Sequence, residues 1–91
     1  MEPRIDLKNV PPEAFKPLLE LEAYVAHHSG LDPVLLNLIR LRASQINGCA
    51  YCIDMHSKDL RALGETEQRL YELDAWRETP FYSERERAAL E

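Results

Sequence analysis

Two cysteines and one histidine stand out as the residues able to do chemistry: Cys49, Cys52 and His56, in the run Cys49-Ala50-Tyr51-Cys52-Ile53-Asp54-Met55-His56. On a helix turning roughly 100° per residue they fall at about 0°, 300° and 340°, along one stripe. Ile53, Leu60 and Leu63 share that stripe, which places the thiols and the imidazole against an apolar, inter-helix environment. Burial opposes ionisation of a thiol, whereas a helix N-terminus and a neighbouring imidazolium favour the thiolate. Cys49 stands at the expected start of a helix, among unpaired N–H groups, and Cys52 is one turn from His56, within reach of proton exchange. The C-x-x-C spacing also lets the two sulfurs join locally without moving other helices. The pattern is that of a redox dithiol with an internal base.

Two other readings use the same residues. Free cysteine is among the most buried residue types, so a purely structural pair is one. Metal binding is the other: Cys49, Cys52, His56 and either His27 or His28 would make a Cys₂His₂ set. Metal-binding C-x-x-C pairs, however, sit on a flexible knuckle, and here the pair opens a helix, with the fourth ligand at no recognisable spacing. Redox chemistry is the favoured reading, with no cofactor.

The elements that must hold this stripe follow from composition. Ninety-one residues allow one modest core, which excludes a doubly wound cofactor-binding fold or a barrel enzyme. Eleven Lys and Arg against sixteen Asp and Glu leave a net charge of −5, which offers no footprint for nucleic acid or anionic lipid. No apolar run approaches the roughly 20 residues of a membrane span, so no membrane partner is expected. The N-terminal MEPRIDLKNVPP has no basic-then-apolar leader pattern, so a cytoplasmic, reducing location with both cysteines as thiols is expected.

Leu is plentiful, Val, Ile and Thr are few, and no strand-like alternation occurs, so the fold class is all-α. The proline-containing residues 1–12 read as an extended arm, and 13–91 as the helical core domain. A first helix spans roughly 13–28, stops at Gly30 and is complicated by Pro17, which removes one helical bond. Asp32-Pro33 starts a second helix to about Ile46, whose apolar residues Leu35, Leu38, Ile39, Leu41 and Ile46 imply burial against several neighbours. Asn47-Gly48 breaks it. A third helix begins at or beside Cys49 and continues to Gly64; a fourth runs from the cap Thr66 to about Arg77. Ser83 and Glu86 form a capping-box pattern opening a last helix. With only RERAALE behind it, that helix is too short to be stable alone, so the chain reads as the motif-bearing part of a longer helical subunit completed by further chain or by other copies.

The stretch Leu41-Arg42-Ala43-Ser44-Gln45-Ile46-Asn47-Gly48 leading into Cys49-x-x-Cys52-x-x-x-His56 resembles the core motif of the carboxymuconolactone decarboxylase superfamily, on its alkylhydroperoxidase AhpD-like branch. Gly64 to Leu70, Trp76-Arg77-Glu78 and Ser83 to Leu90 extend the likeness over roughly residues 13–91. The resemblance implies an oligomeric, all-helical bundle acting as a thiol peroxidase on hydroperoxides. It implies that Cys52 attacks the peroxide, that Cys49 resolves it to a disulfide, and that His56 belongs to the proton relay. It also implies a lipoyl-bearing or thioredoxin-like reductant. The contrasting class is a non-catalytic oligomeric module that senses oxidants or binds metal.

Two positions depart from that branch. Its well-studied members place a glutamate where this chain has Asn37, and a histidine between the cysteines where it has Tyr51. An amide cannot take a proton from a thiol. The expected relay is therefore thinned to His56 with Asp59, three residues on, and peroxidase activity is expected to be weak. Elsewhere, Arg42 lies within the apolar stripe of its helix and calls for a carboxylate partner, while His27 and His28 suit helix capping. Trp76, Phe81 and Tyr82 read as core or interface, and the charges from Glu84 to Arg87 as a solvated face.

Overall fold

The computed structural model describes residues 6–91, which carry five α-helices, two 3-10 segments and no strand. The all-α expectation holds. The chain divides into two units, one ending at Leu31 and the other running from Asp32 to Glu91.

In the first unit, a 3-10 turn at Leu7–Asn9 interrupts what the sequence reads as an extended arm. Asp6 builds it: its carboxylate accepts the Lys8 N–H at 3.0 Å and the Asn9 side-chain amide at 3.3 Å. Residues 1–5 of the expected arm lie outside the described residues. Helix α1 spans Pro12–His28 with Pro12 at its first position. Pro17 does not split it: the helix runs through a single missing N–H donor in its second turn. Gly30, at φ 75°, follows its end. His27 and His28 sit in the last turn, as a capping role requires, and the His28 ring lies 5.6 Å from that of Tyr24. Leu18, Leu19, Leu21 and Tyr24 are exposed.

The second unit begins with helix α2, Pro33–Asn47. The Asp32 carboxylate accepts the N–H groups of Val34 and Leu35, both at 3.1 Å, which satisfies two of the helix's free donors. Gly48, at φ 66°, turns the chain; its N–H bonds the Gln45 carbonyl and the Cys49 N–H bonds that of Ser44, each at 3.1 Å. Helix α3, Ala50–Ala62, follows after this two-residue elbow. Helix α4, Glu67–Glu72, starts from Thr66, whose hydroxyl accepts the Arg69 N–H at 3.3 Å. Helix α5, Glu84–Leu90, opens with the expected reciprocal capping box: Glu86 N–H to Ser83 Oγ at 3.1 Å, Ser83 N–H to Glu86 Oε1 at 2.8 Å.

The core is made where α2 crosses α3 and is closed by the C-terminal segments: Leu38, Leu41, Leu60, Leu73, Trp76, Tyr82 and Leu90 are buried together, with Val34, Ile53, Leu70 and Phe81 against them. Each fully buried leucine contributes on the order of 1.5–3 kcal/mol of burial free energy. Ile46 departs from expectation. It lies one turn past Leu41 but near the end of α2, beyond the reach of α3, and is 67% exposed.

The expected fourth helix, Thr66 to Arg77, is α-helical only to Glu72; Leu73–Glu78 is a 3-10 segment in which Ala75 leaves helical geometry (φ −107°, ψ 29°). The tighter winding stacks residues three apart on one side, which is what sends both Leu73 and Trp76 into the core. The carbonyls it releases are taken up by Arg87, which donates to the oxygens of Trp76 and Thr79 at 3.0 Å and Arg77 at 3.1 Å. Arg87 also lies over the Trp76 ring at 5.3 Å, and Arg77 at 4.4 Å.

Glu86 and Arg87 therefore do not belong to a solvated face. Glu86 meets Arg69, whose five N–H donors are all engaged: two by Glu65, two by Glu86 and one by the Phe81 carbonyl. Tyr82 donates its hydroxyl to the Arg69 carbonyl beneath that guanidinium, and burial pushes its phenol up to about 12. Arg42 finds its carboxylate in Asp74, at 2.7 Å, and a second acceptor in Gln45 at 3.3 Å; Asp74 itself is exposed.

Candidate redox site

The site is built on the elbow between α2 and α3. Because Gly48 alone takes the left-handed conformation, Cys49 emerges extended (φ −87°, ψ 99°) as the N-cap of α3. Its sulfur accepts the Cys52 N–H at 3.2 Å, and its carbonyl accepts the Ile53 N–H at 2.9 Å. Cys52 lies in the first turn of α3, and the two sulfurs, expected as thiols, are joined in a disulfide (S–S 2.10 Å, Cα–Cα 5.3 Å). Both cysteines are half-buried.

His56 follows one turn later, with its side chain 16% exposed and Nδ1 3.8 Å from Asp59 Oδ2. That is close enough for attraction between a protonated ring and the carboxylate, though longer than a hydrogen bond. Ile53 and Leu60 pack against or within the core as their shared stripe demands, whereas Leu63 caps the end of α3 and is 46% exposed.

The remaining candidates are not drawn into the group. Asn37 turns its side-chain amide back to donate to the Pro33 carbonyl of its own helix at 2.9 Å. Tyr51, on the first turn of α3, is 64% exposed.

The metal alternative of Cys49, Cys52 and His56 is not supported by the donor geometry. The two sulfurs are bonded to each other, His27 and His28 lie on α1 in the other unit, and among the described residues no three His, Cys, Asp or Glu side chains are grouped to hold an ion. An open groove between α3 and α4, lined by Asp54, Ser57, Lys58, Arg61, Leu70 and Tyr71, includes none of the three reactive residues. Its cations are paired, Lys58 with Asp54 at 2.9 Å and Arg61 with Glu67.

One residue of the site was not singled out by its type. Ser44 is buried, its hydroxyl donates to the Arg40 carbonyl at 2.6 Å, and its own carbonyl accepts the Cys49 N–H. It thereby ties the end of α2 to the cysteine. The signal was its place in the stretch before Gly48, four residues from Arg40, where a serine can bond back along its helix.

An all-helical protein with a bonded cysteine pair at a helix start is the class these features define. Residues 12–91 match the sequence profile of the Carboxymuconolactone decarboxylase family, and the chain belongs to that family. The chain is 47% identical over 91 residues to the uncharacterized protein YdfG of Bacillus subtilis, covering all of this chain and 61% of that protein. It is 35% identical over 63 residues to the uncharacterized protein YnjA of Escherichia coli, covering 69% and 35%. A crystal structure of an Agrobacterium tumefaciens protein of unknown function, suggested to be the antioxidant defence protein AhpD, superposes with a TM-score of 0.86 at 49% identity, covering 98% of this chain and 60% of that one. The AhpD-like branch of the family is thereby supported. The chain spans about three fifths of the length of YdfG and of the Agrobacterium protein.

Proposed function

We propose that this chain reduces hydroperoxides by cycling Cys49 and Cys52 between dithiol and disulfide. The observation that carries the reading is the bonded pair itself, held within one turn at the start of α3 and followed by His56. In the reaction, two thiols and ROOH give the disulfide, ROH and water; the O–O bond accepts two electrons and the sulfurs lose them. His56, oriented toward Asp59, moves the proton that the leaving alkoxide requires. A dithiol reductant, lipoyl-bearing or thioredoxin-like, returns the pair to the reduced state by thiol–disulfide exchange. In the cytoplasm the resting form is then the dithiol. The likeness to the suggested antioxidant protein of Agrobacterium supports the reading, and the exposed leucines of α1 support assembly into a homo-oligomer.

The test is stopped-flow oxidation of the fully reduced chain with an organic hydroperoxide, followed by titration with dihydrolipoamide. Loss of two thiols per chain with an intramolecular Cys49–Cys52 bond is expected, as is its reversal by the reductant. Thiols that survive an excess of hydroperoxide would sink the reading.

A further inference from the structure

The structure orders the two sulfurs: we infer that Cys49 is the attacking thiolate and Cys52 the resolving thiol, an order that rests on the dithiol cycle proposed above. Three observations carry it.

The first is hydrogen bonding. Helix α3 begins with donors that have no partner further back in the helix, and one of them, the Cys52 N–H, points at the Cys49 sulfur at 3.2 Å. In the reduced chain the same backbone presents that N–H to a sulfur carrying negative charge, and a donor facing an anion binds it more strongly than a neutral acceptor. Cys49 lies at the cap, in line with the positive end of the helix, whereas Cys52 has already entered the first turn.

The second is access. Cys49 is flanked by Gly48 and Ala50, both exposed, and nothing lies within 4 Å of where a Gly48 side chain would project. Cys52 is followed by Ile53, which packs on the core. A peroxide or a partner disulfide approaching from solvent meets the Cys49 side of the pair with less obstruction.

The third concerns what would favour Cys52. Its helper is His56, but a protonated His56 stands 3.8 Å from the Asp59 carboxylate, which offsets the positive charge the ring could lend to a thiolate one turn away. Asn37, the other position expected to serve a relay, spends its amide on the Pro33 carbonyl and has no basic atom to take a proton.

The step is then Cys49-S⁻ + ROOH → Cys49-SOH + RO⁻, with RO⁻ protonated to ROH. The Cys52 thiol next attacks the sulfenic sulfur, forming the S–S bond and releasing water.

Two full-length single-cysteine variants decide it. Cys52→Ser keeps Cys49, and Cys49→Ser keeps Cys52 together with a hydroxyl able to cap α3. Alkylation by iodoacetamide at pH 7 reads thiolate reactivity without any peroxide. We expect Cys52→Ser to react about three to ten times faster than Cys49→Ser, since the gain in thiolate is partly offset by lower intrinsic nucleophilicity. In 8 M urea, where α3 is lost, the two rates should converge. Equal rates in the folded chain, a faster Cys49→Ser, or a difference that persists unchanged in urea would each overturn the order. Far-UV circular dichroism checks folding, and the pair Cys49→Ala and Cys52→Ala replaces any serine variant that fails to fold. Trapping with dimedone during hydroperoxide treatment then separates the two proposals. Sulfenic acid on Cys49 supports both, and sulfenic acid only on Cys52 overturns the order while sparing the cycle. No sulfenic acid beside the expected alkylation order overturns the cycle and leaves Cys49 as the more reactive thiolate.

Discussion

The guanidinium of Arg69 and the carboxylate of Glu86 meet fork to fork, Nη1 to Oε1 at 3.1 Å and Nη2 to Oε2 at 2.5 Å, across seventeen residues of sequence. The pair joins α4 to α5, and the same guanidinium holds the Phe81 carbonyl between them. Arg69 and Glu86 are 20% and 17% exposed, so water screens the pair only in part.

This contact sets an acid limit on stability. The Arg69 hydrogen bond holds the Glu86 carboxyl at about 2, below its ordinary 4.5. The unfolded chain therefore takes up this proton first: the stabilisation is complete above about pH 4.5 and is lost as pH falls toward 2. Urea unfolding at pH 6, 4, 3 and 2 should show the native chain losing on the order of 2–3 kcal/mol that Glu86→Gln does not lose. Parallel curves for the two proteins would refute the assignment.

Arg69→Ala should cost about 3–5 kcal/mol at pH 7, because it strands two carboxylates, Glu65 being only 6% exposed. For a domain of this size that is a large share of the roughly 5–13 kcal/mol available. Arg69→Lys should rescue little of it, since one ammonium cannot reproduce five donors in a plane. Thermal melts of the three proteins check this.

Gly48→Ala should destabilise by about 1 kcal/mol, because a side chain at φ 66° is strained even where space is open. The loss would be read as a lower urea midpoint with unchanged slope.

Breaking the Cys49–Cys52 bond closes off only a four-residue loop's worth of entropy. Adding reductant should lower stability by about 2 kcal/mol on the loop-entropy account. Differential scanning calorimetry with and without reductant measures it, and Cys49→Ser should show no reductant dependence.

What could be read before the structure was what is local. Asp32, Gly48, Thr66 and the Ser83–Glu86 box mark helix ends within a few residues of themselves, and each does so here. The Cys49–Cys52 spacing belongs to the same class: one helical turn brings the sulfurs together whatever the rest of the chain does. The 3-10 winding of Leu73–Glu78 could not be read, because it depends on Arg87 arriving from α5 to take its carbonyls. The Arg69 cluster escaped for the same reason, as did the exposure of Ile46 at the far end of α2. Asn37 and Tyr51 were placed near the chemistry by sequence position, but rotamer and neighbours decide where a side chain points, and these two turn to a carbonyl and to solvent.

Because the cysteine bond closes inside a single helical turn, and the leucines that hold α2 to α3 lie at Leu38, Leu41 and Leu60, the moving parts of the redox cycle are separated from the parts that bear the fold. Gain or loss of two electrons is a local event at the elbow. Such a centre can turn over many times without loosening the scaffold that presents it.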